Sequence, residues 1–82
     1  MIMVDVQVPA LDMVYDFSLA EDVTVEVLIE ELIEMICQRE RLAMAKELEE
    51  FSLCCVSSGK ILPRELTLGD CGVVTGNRLM LI

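Results

Sequence analysis

Hydrophobic and polar residues alternate in two runs near the start of the chain. The run MIMVDVQV places four aliphatic residues on one face, Ile2, Val4, Val6 and Val8. The run MVYDFSL likewise places its larger hydrophobic residues on one face, Met13, Tyr15, Phe17 and Leu19. A period of two is typical of a strand that buries one face. Because only the link PALD separates the runs, and proline cannot continue a ladder, the pattern predicts a β-hairpin.

A helical period replaces this alternation after Thr24. The apolar residues then recur every three or four positions, at Val25, Leu28, Ile29, Leu32, Ile33 and Ile36. Glutamates fill much of the remaining surface, at Glu26, Glu30, Glu31 and Glu34. The spacing predicts an amphipathic helix that buries its apolar stripe. Thr24 is the expected N-cap, with its hydroxyl accepting a hydrogen bond from a first-turn amide.

The segment that follows, CQRERLAMAKELEE, contains no glycine or proline that would end the helix. Its apolar stripe is interrupted at residues 39–41 and resumes out of phase from Leu42. We therefore expect a kink, or a second short helix from Leu42 to Glu49.

Three short strands are predicted in the last third of the chain, in FSLCCVS, KIL and RLMLI. Turn-forming residues separate them, including Gly59, Gly72 and Gly76. The resulting order, β-β-α-β-β-β, predicts an α+β roll in one domain, residues 1–82. We expect a mixed sheet with one main helix on one face, and the strongly apolar first and last strands as neighbours at its centre.

Composition narrows the functional classes. The net charge is -9, with six basic residues, and a nucleic-acid binder would instead carry clustered Lys and Arg. No apolar run approaches the roughly 18 residues of a membrane span, and the start of the chain lacks signal-peptide features. We therefore expect a cytoplasmic protein, with no nucleic-acid partner and no direct insertion into a membrane.

Residues that could perform chemistry are few. The chain has no histidine and no CxxC pair, so neither a metal site nor a cofactor is expected. Its serines have no evident base to activate them, and no enzyme is predicted. Cys71 is interpreted as a thiol packed under a turn rather than a reactive one, because reactivity needs cationic neighbours. The helix glutamates form a solvated face or, alternatively, an acidic strip for a basic partner.

The element order and the final strand resemble ubiquitin and the β-grasp fold. The similarity is continuous in the last third, CCVSSGKILPRELTLGDCGVVTGNRLMLI, and holds in element order over the first 36 residues. Residues 37–50 match poorly. Ubiquitin is conjugated through a tail ending in Gly-Gly, whereas this sequence finishes at Ile82 within the last predicted strand. The resemblance therefore implies a β-grasp domain that is not a conjugated modifier.

A more specific resemblance rests on an Asp-Cys-Gly turn followed by Gly-x-Arg-Leu. This pattern comprises Leu68, Asp70, Cys71, Gly72, Gly76, Arg78 and Leu79. It is similar to the YukD/EsaB family of small ubiquitin-like proteins encoded with bacterial type VII (ESX-like, WXG-substrate) secretion systems. The resemblance implies a non-enzymatic accessory or regulatory protein, with a component of that secretion machine as its partner.

Ubiquitin-like domains bind partners through aliphatic residues on the sheet face opposite the helix. The corresponding positions here are Val56 and Ile82, with Met80 and Cys54 beside them, and Met3 is expected on the same face of the adjacent first strand. They are apolar where a solvated sheet face is ordinarily polar, and methionine suits an adaptable binding surface. This face is the predicted protein-binding site. Burial under residues 42–49 and scattered exposure of single apolar residues are the competing explanations. The functional alternative is a structural module that forms a homodimer through the same face.

Overall fold

The computed structural model describes residues 1–41 and 48–82. Within them the sheet is built from five strands, and the main helix follows the second strand. The elements are β1 (Ile2–Val8), β2 (Met13–Leu19), α1 (Val25–Glu40), β3 (Leu53–Cys55), β4 (Lys60–Ile61) and β5 (Arg78–Leu81). Short 3₁₀ helices occupy Pro9–Leu11 and Leu48–Glu50.

The strands lie in the order β2-β1-β5-β3-β4. β1 pairs with β5 in parallel, and every other neighbouring pair in this sheet is antiparallel. The first and last strands are therefore adjacent near the centre, and the sheet is mixed. The predicted α+β architecture and its β-β-α-β-β-β order are confirmed.

The predicted hairpin joins β1 and β2. Pro9 opens a 3₁₀ turn, where its missing N–H costs no ladder hydrogen bond, and Asp12 closes the turn in the left-handed region at φ 53°. All seven residues of β2 then pair with β1, from Met13 opposite Val8 to Leu19 opposite Ile2. This register places the two alternating runs with their apolar sides on the same face.

One hydrophobic cluster lies between that face and α1. All the residues of the predicted helical stripe are buried in it, together with Val4, Val6, Val8, Tyr15, Phe17, Leu19, Leu53, Cys55, Leu62, Leu68, Val73, Leu79 and Leu81. Burying one such aliphatic side chain contributes about 1.5–3 kcal/mol, so the stripe is the principal reason that α1 packs on the sheet. At the end of α1, the Arg39 guanidinium lies 5.4 Å from the centre of the Tyr15 ring. This cation–π contact fastens the last turn to β2.

The start of α1 corrects one prediction. Thr24 is the N-cap residue, but its hydroxyl makes no capping hydrogen bond. Two backbone carbonyls from a distant loop take that role, since Val25 N–H donates to Leu66 O at 2.8 Å and Glu26 N–H to Arg64 O at 3.1 Å. The expected side-chain cap is wrong, and the loop carbonyls satisfy the first two amides of the helix instead.

The helix ends at Glu40, and Arg41 follows in the left-handed region at φ 55°. Its N–H donates to Cys37 O, which closes the helix without a glycine. The sequence predicted a kink or a second helix from Leu42 to Glu49. Residues 42–47 lie outside the described residues, and Leu48 and Glu49 belong to the second 3₁₀ helix.

The loop before β5 is held by short-range hydrogen bonds. Thr67 N–H donates to the Asp70 carboxylate at 3.2 Å, and Asp70 N–H donates to the Thr67 hydroxyl at 3.0 Å. Gly72, one of the predicted turn residues, adopts φ 75°, a left-handed conformation that glycine takes without steric cost. Cys71 is half-buried against the core, and burial, followed by the Asp70 carboxylate, raises the pKa of its thiol. Its interpretation as a packed thiol is confirmed.

Candidate protein-binding surface

The face of the sheet that carries none of the helix-facing residues is crossed by one mainly apolar row. Met80 in β5 lies opposite Gln7 in β1 and Cys54 in β3. The same register continues outward to Val14 in β2 and Ile61 in β4. We call this set the outer row: Val14, Gln7, Met80, Cys54 and Ile61.

Exposure increases from the middle of the outer row to its ends. Met80, Cys54 and Gln7 are half-buried by their neighbours, whereas Val14 and Ile61 are 48% and 66% exposed. Since neighbouring strands lie about 4.8 Å apart, the row is about 19 Å long. Gln7 is its one polar member. An apolar band of this length can receive several side chains of a partner.

Two further predicted residues flank Met80 along the strands. Val56 N–H donates to Arg78 O at 2.9 Å, so Val56 lies beside Arg78, two positions before Met80. Ile82 and Ser52 exchange backbone hydrogen bonds of 2.9 and 2.6 Å, so Ile82 extends the ladder beyond Met80. Val56 and Ile82 are both 44% exposed. The structure therefore brings Cys54, Val56, Met80 and Ile82 together around one point on the sheet.

Met3 lies apart from this group. It precedes Gln7 by four positions on β1, a separation of roughly 13 Å along the strand. Asp5 lies between them, and its carboxylate is 3.7 Å from the Arg78 guanidinium. Met3 is exposed on the same face, but a charged pair separates it from Met80.

The row that contains Asp5 is acidic at its β1 and β2 positions. Asp16 lies directly opposite Asp5 on the neighbouring strand. A hydrogen bond with the Asp5 carboxyl, followed by repulsion between the two charges, raises the pKa of Asp16. Arg78 compensates part of the negative charge from the other side of Asp5. The apolar surface around Met80 is thus bordered by an acidic strip toward β2.

Sequence reasoning overlooked Val14 and Ile61, the most exposed members of the outer row. The alternation of MVYDFSL already places Val14 on the face away from Tyr15 and Phe17. Ile61 was harder to assign, because β4 has only two residues and a period cannot be read from so short a run. Its position follows from the pairing with Cys54.

The described residues contain no group of three or more His, Cys, Asp or Glu side chains arranged to hold a metal ion. In residues 1–41 and 48–82, no helix combines the length and the apolar character that crossing a membrane requires. The main feature of this face is the apolar band, which acidic groups border on the side of β1 and β2.

Comparison with solved structures shows where this fold occurs. The EccD5 ubiquitin-like domain from Mycobacterium xenopi superposes with a TM-score of 0.77 at 24% identity, over 99% of this chain and 91% of that one. The UBL domain of Plasmodium falciparum Dsk2 gives 0.73 at 24% identity, over 98% and 93%.

A third similar structure, from the toluene 4-monooxygenase HD complex, gives a TM-score of 0.77 at 14% identity, over 98% of this chain and 94% of that one. At these identities the similarity establishes the fold, which is ubiquitin-like, and nothing about activity.

The family assignment comes from the sequence itself. Comparison with curated proteins gives no match. The family described as WXG100 protein secretion system (Wss), protein YukD, matches residues 3–81. That range includes both the Asp-Cys-Gly turn and the final strand. This ubiquitin-like chain therefore belongs to the YukD family of the WXG100 secretion system.

Proposed function

We propose that this protein is a non-enzymatic accessory or regulatory component of a bacterial type VII secretion system. It acts in the cytoplasm as a single ubiquitin-like domain and binds a machine component or substrate complex without being conjugated to it. The binding surface comprises Cys54, Val56, Met80 and Ile82, with Val14 and Ile61 as its outer contacts and Met3 as a peripheral one.

The observation that carries this proposal is the apolar outer row. A solvated sheet face ordinarily alternates apolar residues inside with polar residues outside. Here the outward positions include Cys54 in β3, Ile61 in β4 and Met80 in β5. Exposed apolar side chains that lie side by side favour contact with a protein partner. Membership of the YukD family indicates the system in which that partner is to be sought.

The test is quantitative capture from the native cytosol with the immobilised protein and its variants. Met80→Lys and Val56→Glu place a charge in the proposed surface without touching the core. Each is expected to reduce capture of a secretion-system component at least tenfold. The control is Met35→Lys, because Met35 is an exposed methionine (39%) on α1 and lies outside the proposed surface. It is expected to capture normally.

The proposal fails if Met80→Lys and Met35→Lys behave alike, or if the captured proteins include no component of the secretion machine. Circular dichroism of each variant establishes that its fold is retained. Intact-mass analysis of the protein from native cells tests the non-covalent mode. A population joined to another protein through a new isopeptide bond would contradict it.

Self-association through the outer row is the alternative, because the same apolar band could be covered by a second copy. Sedimentation at several protein concentrations distinguishes the two functions. A monomer at all concentrations eliminates the structural module, whereas a dimer dissociated by Met80→Lys supports it.

A further inference from the structure

β2 forms one open edge of the sheet. β2 is the outermost strand, and all seven of its residues pair with β1 on one side only. No strand pairs with its other side in the described part of the chain. Exposed edges are commonly protected by charged side chains, lysine above all, by proline or by a bulge. The sequence of β2, MVYDFSL, contains no proline and no basic residue, and Asp16 is its one charged residue.

Hydrogen bonds of β1 show which of its backbone groups face β2. Asp5 N–H donates to Asn77 O at 3.2 Å, and Met3 O accepts from Gly76 N–H at 2.9 Å. The odd-numbered residues of β1 therefore direct their backbone groups toward β5. Because these directions alternate along a strand, the even-numbered residues of β1 bond with β2.

The register transfers this alternation to β2. Tyr15 and Phe17 lie opposite Val6 and Val4, so their N–H and C=O groups point into the sheet. The groups of the intervening residues, Val14, Asp16 and Ser18, point outward instead. Three donors and three acceptors are thus aligned at the free edge, which is the pattern that an additional strand requires.

Charge decides which strand this edge accepts. Asp16 is the middle residue of β2, and its carboxylate lies on the outer face opposite Asp5. The Asp5 carboxyl raises the pKa of Asp16, first through a hydrogen bond and then through charge repulsion. A cationic side chain directly opposite Asp16 would relieve this repulsion, because cross-strand neighbours lie about 5.5 Å apart.

A second copy of this chain is a poor occupant for the same reason. The antiparallel register that pairs all seven residues of two β2 strands sets Asp16 opposite the same residue of the other copy. One row would then hold four carboxylates, from the Asp5 and Asp16 of each copy. Like charges directly opposite one another destabilise a sheet, and registers that avoid this contact pair fewer residues. The net charge of -9 adds to the repulsion between copies.

We propose that the free edge of β2 binds an extended basic segment of a partner protein, which adds as a further strand with a Lys or Arg opposite Asp16. This surface is distinct from the one centred on Met80, and the inference does not depend on the secretion-system role. The two sites can be occupied together, since one is an edge and the other a face.

The test uses the ¹⁵N-labelled full chain and a capped heptapeptide, TVKVKVT, that alternates small or β-branched residues with lysine. Without peptide, the amides of Val14, Asp16 and Ser18 should exchange rapidly with solvent, whereas those of Tyr15 and Phe17 exchange slowly. Saturating peptide is expected to slow exchange of the first three at least fivefold. The charge-reversed peptide TVEVEVT should leave all five unchanged.

Two pairs of variants separate backbone pairing from charge. Ser18→Pro removes one outward N–H without removing a bond to β1, and it should weaken peptide binding about threefold or more, whereas Ser18→Ala should not. Asp16→Lys should weaken binding about threefold to tenfold, in line with the loss and reversal of a cross-strand pair. Glu31→Lys makes the same change in net charge at an exposed position of α1, and it should weaken peptide binding much less.

Four results would overturn the inference. The first is the absence of saturable binding up to millimolar peptide, and the second is protection confined to amides outside β2. The third is equal weakening of binding by Asp16→Lys and Glu31→Lys. The fourth is a concentration-dependent dimer in which Val14, Asp16 and Ser18 become protected without peptide, since a second copy would then occupy the edge.

Discussion

Arg64 connects three parts of the fold, and its removal should cost more stability than its partly exposed position suggests. Its guanidinium donates to Phe51 O at 2.6 Å and lies 3.9 Å from the Glu26 carboxylate. Its own carbonyl accepts from Glu26 N–H at the start of α1. The residue thus joins the segment before β3, the loop after β4 and the helix N-terminus.

The cost can be estimated from these contacts. A hydrogen bond to a charged group contributes about 1.5–3 kcal/mol, and the 31% exposure of the Arg64 side chain reduces this value. The 3.9 Å ion pair adds little, because Glu26 is largely exposed. We expect Arg64→Met to lower the free energy of unfolding by about 1–2 kcal/mol. Methionine keeps the aliphatic stem, so the loss measures the hydrogen bond rather than packing. The midpoint of thermal unfolding should fall by roughly 5–12 °C in a domain of this size.

The assay is urea denaturation followed by circular dichroism, with Arg78→Met as the matched control. Arg78 is 49% exposed and forms a 3.7 Å ion pair with Asp5, a contact that contributes less than about 1 kcal/mol at a surface. If Arg64→Met and Arg78→Met destabilise the protein equally, or if Arg64→Met is neutral, the argument that Arg64 joins these segments is refuted.

Three further substitutions test other parts of the structure. Thr24→Ala should cost less than about 0.5 kcal/mol in urea denaturation, below the usual value of about 1 kcal/mol for an N-cap, because the hydroxyl makes no capping bond; a full loss would contradict the carbonyl caps. Leu32→Ala should cost about 2.7–5 kcal/mol in the same assay, because Leu32 is fully buried. Asp16→Asn should raise the thermal midpoint at pH 7. Folding raises the pKa of Asp16, so the charge on Asp16 opposes folding at neutral pH. The advantage of asparagine should therefore vanish as the pH falls through that raised pKa and Asp16 becomes protonated. An advantage independent of pH would exclude the repulsion between Asp5 and Asp16 as its cause.

Much of the fold could be predicted because local periodicity and burial agree. The helical stripe from Val25 to Ile36 is buried throughout, and the alternation in β1 and β2 assigns their core faces correctly. Such patterns reflect one segment packing against a core, so they can be recognised without knowing the neighbours. The same holds for Gly72, whose left-handed conformation depends on the turn alone.

Predictions that depended on distant neighbours were less complete. The hydroxyl of Thr24 was a reasonable cap in isolation, but the carbonyls of Arg64 and Leu66 lie about forty residues away in sequence and bond the amides of the first turn. Similarly, Ile61 joins the outer row only through its pairing with Cys54. Neither contact leaves a periodic signal in the segment where it occurs.

The composition of the outer row follows from the packing of the opposite face. Tyr15, Val6, Leu79 and Cys55 pair across four strands, and all are buried against α1. A slip of one residue in any strand would turn its buried side chains to solvent, so this core row fixes the register. Met80, the next residue along β5 after Leu79, must then lie between Gln7 and Cys54 on the opposite face. Because the register is specified by the core row, the outward residues are not needed to define it. They are therefore the positions at which substitutions can change binding while leaving the sheet intact.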